Sequence, residues 1–113
     1  MHEMSLAESV VQIAEETARA NGGGRVTTVL LQVGRLAGVE IDALRFCFDA
    51  ASRQSLAAGA RLVIEQPDGL AWCLPCGETV PLAGLGEPCP RCGSHQLQVT
   101  GGNELRVQEI EIH

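Results

Sequence analysis

Leu6, Val10, Ile13, Ala14 and Thr17 recur at helical spacing along the first twenty residues. Ser5-Leu6-Ala7-Glu8 reads as a capping box, with Ser5 as N-cap and Glu8 reaching back from the third helical position. Asn21-Gly22-Gly23-Gly24 ends that helix. Arg25 to Val33 is short and rich in β-branched residues, which predicts a strand. A turn over Gly34 to Gly38 leads to a second helix from about Ile41 to Leu56, with Ile41, Leu44, Phe48 and Ala51 as its apolar stripe. Gly59 closes it, Ala60 to Gln66 reads as a second strand, and Pro67-Asp68-Gly69 breaks the chain. From Leu70 to about Thr100 the periodicity fades, and cysteine, proline and glycine crowd the segment. After Gly101-Gly102-Asn103, alternation returns with Leu105 and Val107, then slips by one residue before Ile110 and Ile112. Such a slip predicts a bulged strand whose first half pairs with Gln96–Thr100 and whose second half joins the main sheet.

Charge and length narrow what such a chain can do. Its 113 residues allow one compact domain, or one with a small satellite. Fourteen acidic side chains outweigh eight basic ones, for a net charge of −6, and every basic residue is arginine. That balance argues against tracking a nucleic-acid backbone or an anionic membrane surface. Trp72 alone offers no stacking platform for bases. The N-terminus has no basic stretch of the signal-peptide kind, and no apolar run approaches the roughly 20 residues of a membrane span. A cytoplasmic location is expected, where thiols stay reduced and paired cysteines bind metal more readily than they form disulfides.

Five cysteines divide into four and one. Cys73-Leu74-Pro75-Cys76 and Cys89-Pro90-Arg91-Cys92 are two knuckles separated by 12 residues, each followed by a glycine, Gly77 and Gly93. Two such turns deliver four thiolates to a tetrahedral Zn²⁺, with proline and glycine letting backbone amides point at the sulfurs. Iron fits the same ligands, and two disulfides or a redox pair are the remaining readings. The oxidising compartment that disulfides require has no support in the sequence. A redox pair wants a helix start after its first cysteine, where proline stands here. With four protein thiolates no position is open to water, so the ion is structural, and it takes the formal charge from −6 to −8. His95 reads as an exposed loop residue able to substitute as a ligand, Cys47 as a buried core thiol, and His113 as a frayed end.

The other end of the chain carries different ligands. Met1-His2-Glu3 offers a free amine, the His2 amide and the His2 Nδ1, which can chelate one ion in a plane through fused rings. Planar nitrogen donors select Ni(II) or Cu(II), and the fourth position remains for Glu3 or a group from elsewhere. No nucleophile is paired with a base, there is no phosphate-binding glycine loop, and the three histidines fit no metalloprotease pattern. The chain reads as a non-enzyme.

Over essentially its full length the sequence resembles the HypA/HybF family of nickel metallochaperones for hydrogenase maturation. The resemblance rests on Met1-His2-Glu3, Gly34 through Glu40, Leu44-Arg45-Phe46-Cys47-Phe48-Asp49, both cysteine pairs, and Gly102-Asn103-Glu104-Leu105-Arg106. It implies an α+β fold in two parts. A three-stranded antiparallel sheet with two helices (1–66 and 105–113) forms a nickel domain, and residues 67–104 an inserted, zinc-ribbon-like domain with four cysteine ligands. It further implies nickel held by His2 with Met1 and Glu3, and structural zinc on Cys73, Cys76, Cys89 and Cys92. Glu40 matches a position where some members carry an acid near the nickel. The implied partners are a HypB-type GTPase and the large subunit of a [NiFe] hydrogenase, with urease maturation factors in some members. Histidines that flank the cysteine motifs in some relatives are replaced here by Gly77 and Gly93. A zinc-ribbon interaction module without metal delivery is the competing function.

Overall fold

The computed structural model describes residues 3–113. Helix α1 spans Glu3–Ala20, strand β1 Val26–Val33, helix α2 Ile41–Ser52 and strand β2 Arg61–Glu65. Strands β3 (Leu70–Cys73), β4 (Glu78–Pro81), β5 (Leu97–Gly101) and β6 (Leu105–Ile112) follow. They form two three-stranded sheets, ordered β2-β1-β6 and β4-β3-β5. This is the expected α+β architecture with a second small sheet around the cysteines. The chain divides into two compact units, one of residues 1–31, 39–64 and 107–113, the other of residues 32–38 and 65–106.

In the first unit, α1 does not start at Ser5. It is helical from Glu3, an acid in the first turn where the helix dipole favours it, so Ser5 lies inside the helix and its carbonyl accepts the Ser9 hydroxyl. The buried face is Ala7, Val10, Val11, Ala14 and Ala18, whereas Ile13 is exposed. Alanines on that face let the helix backbone come close to its neighbour α2. Leu44 and Phe48 are the buried stripe of α2, with Ile41 and Ala51 half-buried beside them. This helix ends four residues earlier than its apolar pattern predicts. A continued helix would bond the Leu56 amide to Ser52, but that amide goes to the Glu15 carboxylate, 3.1 Å away. Residues 53–59 then descend through short turns, with Ser55 and Ala58 each donating to the carbonyl three residues back.

Strand β6 departs from expectation in its first half. Gln96–Thr100 does not receive it. Instead β5 pairs antiparallel with β3, matching Cys73 to Leu97 and Trp72 to Gln98, because β3 is already paired to β4 and offers its second edge. The whole of β6 lies in the sheet of β1. Leu105, Val107, Ile110 and Ile112 are its half-buried positions, and the slip falls at the exposed pair Gln108 and Glu109.

The second unit is tied together by backbone close approach. Gly34 donates its amide to the Glu104 carbonyl, Arg35 to Pro67, and Leu36 to Gly102 at 2.6 Å. A Cβ on Gly34 would collide with the Gly102 carbonyl, and Gly102 itself has φ +87°. Three separate stretches of chain therefore meet where only glycine fits. Leu36, Ala71 and Leu82 form the small apolar cluster beside them, with Leu97 packed against it.

Candidate metal centre

Cys73 is the last residue of β3 and Cys76 lies in the tight connection to β4, so the hairpin itself presents the first pair of thiols. Gly77, at φ +65°, turns the chain and donates its amide to the Cys73 carbonyl at 2.8 Å. The second pair repeats the device without a hairpin. Gly93, at φ +78°, donates to the Cys89 carbonyl at 2.9 Å, and Cys89 donates to Ser94 at 2.8 Å. A residue with a Cβ is strained at such φ values, which explains the glycine after each knuckle.

These turns bring together all four cysteines that the spacing singled out. Every sulfur lies within 4.8 Å of the others, with Cys73–Cys92 at 3.6 Å and Cys76–Cys89 at 3.9 Å. Those separations are nearly twice a disulfide bond of about 2.05 Å. They match the edge of about 3.8 Å that a tetrahedron of sulfurs at roughly 2.3 Å from Zn²⁺ requires. The donor set therefore fits zinc, which would serve as a cross-link between the two knuckles. Cys73 and Cys89 are buried, Cys76 half-buried and Cys92 exposed, and Val80 and Leu97 pack against the group.

Charge at the centre reinforces the need for a cation. The backbone amides of Cys92 and Arg91 hold the Cys89 thiol down at about 6. Neighbouring Cys92 and Cys73, together with burial, push Cys76 up to about 12, and burial foremost pushes Cys73 up. The Cys89 thiolate forms readily, but Cys73 and Cys76 resist ionisation until a positive ion enters. The Arg91 amide also reaches the Cys89 sulfur at 3.4 Å, an amide-to-sulfur bond of the kind that steadies thiolate ligands. The Arg91 guanidinium is ion-paired to Glu78, whose hydrogen bond and charge raise its pKa further.

Met1 and His2 fall outside the described residues. Glu3 does not, and its carboxylate accepts the backbone amide of Glu40 at 3.1 Å. Glu40 in turn caps α2, its carboxylate accepting the Ala43 amide at 2.7 Å. The two acids named from the sequence therefore meet at the start of both helices. His95 lies in an exposed loop stretch near the knuckles. Cys47 is half-buried rather than buried, because α2 turns Leu44 and Phe48 inward and leaves it at the margin of that stripe. Phe46, part of the Leu44–Asp49 motif, is 72% exposed between those core positions, which the motif alone does not reveal.

A small α+β protein built on a four-cysteine metal centre is the class this fold and site define. Residues 1–112 match the family model described as HypA, hydrogenase/urease nickel incorporation, metallochaperone. The chain belongs to the HypA family. The hydrogenase maturation factor HypA of Albidiferax ferrireducens is 56% identical over 112 residues, covering 99% of each chain. That of Dechloromonas aromatica is 54% identical with the same coverage. The solution structure of the Ni metallochaperone HypA from Helicobacter pylori aligns with TM-score 0.69 at 25% identity, over 99% of this chain and 97% of that one. The family comprises maturation factors, not catalytic enzymes, and serves nickel incorporation for hydrogenase and urease. Among the described residues no helix is long and apolar enough to cross a membrane.

Proposed function

We propose that this chain binds Ni(II) through Met1, His2 and Glu3 in the cytoplasm and delivers it to the large subunit of a [NiFe] hydrogenase. Cys73, Cys76, Cys89 and Cys92 hold structural zinc. Residues 1–66 and 105–113 form the nickel domain and residues 67–104 the zinc domain. A HypB-type GTPase is the expected partner, with urease maturation factors as further ones. Delivery needs no bond-making in the protein beyond ligand exchange, in which an incoming donor replaces the weakest of the nickel's own.

The observation that carries this reading is the Glu3–Glu40 hydrogen bond. It holds Glu3, the residue next to His2 in sequence, at the N-terminus of α2. Two carboxylates at that point favour a divalent cation, and Glu40, occupied as a helix cap, acts chiefly by positioning Glu3.

Nickel titration of the zinc-loaded protein tests the reading, run beside His2→Ala and a form extended ahead of Met1. The expected result is about one nickel per chain with a weak absorption of planar type, lost in both variants. Equal nickel binding in all three would refute it and leave the zinc-ribbon interaction module as the function.

A further inference from the structure

Arg91 is the only lysine or arginine between residues 67 and 104, and it stands inside the second knuckle, one residue before Cys92. Its guanidinium does not point away into solvent as a lone surface cation would. It bonds Glu78, the residue directly after Cys76-Gly77 and the first of β4. The ion pair therefore joins the second knuckle to the strand leaving the first, crossing the same gap that a metal bound by the four thiols crosses. No other ion pair among the described residues links the two knuckle segments.

We propose that the Arg91–Glu78 pair is a latch that governs how long the centre keeps its zinc. The proposal rests on the reading of the four cysteines as a zinc site. Each knuckle supplies only two ligands, so release requires one knuckle to swing off while the other still holds the ion. A contact that spans the two opposes that half-open state. The arginine also brings positive charge beside a centre whose four thiolates leave it at net −2 once zinc is bound. Arg91 and Glu78 are positioning residues, because neither supplies a ligand atom. Both are half exposed, so the effect is modest and dissolves in salt.

The test uses the full chain loaded with zinc and follows transfer to excess of the chromogenic chelator 4-(2-pyridylazo)resorcinol. Elemental analysis comes first, and wild type without zinc defeats the zinc reading itself. Arg91→Ala and Glu78→Gln should each speed release about two- to fivefold, the scale of an exposed ion pair. The double variant should be no faster than the faster single one, and Arg91→Lys should recover most of the wild-type rate. Raising NaCl from ~20 mM to ~0.5 M should speed wild type and leave Arg91→Ala unchanged, a response that general loss of fold does not produce. Wild-type rates in the single variants, additive effects in the double, or the same salt response in all forms overturns the latch. Should Arg91→Ala fail to load, the salt response of wild type against Glu78→Gln decides.

Discussion

At the scale of single residues, the thiols and the acids do different work with similar means. The Cys89 thiol sits near 6 because backbone amides favour its anion, while Cys76 is held up at about 12 by the neighbouring thiols. At neutral pH the metal-free centre is thus partly ionised already. Zinc must displace protons at least from Cys73 and Cys76, so zinc affinity should rise as pH rises through neutrality. Calorimetric titration in buffers of different ionisation enthalpy reads the proton count directly, and a pH-independent affinity contradicts the assignment. Glu40 is the other informative residue. Its carboxylate caps α2, so Glu40→Ala should cost about 1 kcal/mol of stability by urea denaturation. The same change should weaken nickel binding less than His2→Ala, since Glu40 bonds Glu3 through its backbone, which alanine keeps. Phe46→Ser should move stability by no more than about 0.5 kcal/mol, because most of the ring is already in water.

At the scale of elements, the glycine crossing makes the sharpest demand. Gly34→Ala puts a methyl against backbone rather than against a yielding side chain, so a loss of more than about 2 kcal/mol is expected. Gly22→Ala is the control for backbone strain alone: unlike Gly34 it has a positive φ, +99°, but a Cβ there meets nothing within 4 Å, so a smaller loss of about 1–2 kcal/mol is expected. How far these elements could be read in advance depends on where their information is stored. Both helices, β1 and β2 follow from local periodicity and turn residues, and the four cysteines from spacing alone. Among the features that did not follow, three have a clear non-local cause. The early end of α2 depends on Glu15 from another helix, and the rotation of the α1 face by which Ile13 is exposed depends on alanines packing where larger residues were expected. The partner of β5 was decided by which edge of β3 stood open. A phase slip in one strand says that its surroundings change, without naming the neighbour. The Glu3–Glu40 contact joins residues far apart in sequence, and only the resemblance drew attention to Glu40.

For the whole molecule, metal and chain topology set the terms of stability. The second unit has little apolar core beyond Leu36, Ala71, Leu82 and the residues around the cysteines. Stripping zinc with a strong chelator should therefore release amide protection in β3, β4 and β5, while α1 and α2 stay protected in hydrogen exchange. Cys73→Ala should produce the same pattern without a chelator. Equal protection with and without metal rules out a structural ion. The junction of Gly34, Leu36 and Gly102 has a further meaning during synthesis. Leu36 leaves the ribosome with its backbone donor unmatched, and its partner Gly102 follows only after more than half the chain has been made. At about 5–20 residues per second that interval lasts several seconds. The four thiols emerge in the later part of it, Cys92 only 10 residues ahead of Gly102, and can meet metal before the backbone that frames them is complete. The newborn chain is thus open to whichever soft metal reaches it first, and the supply of zinc at the ribosome bears on which ion the finished protein carries.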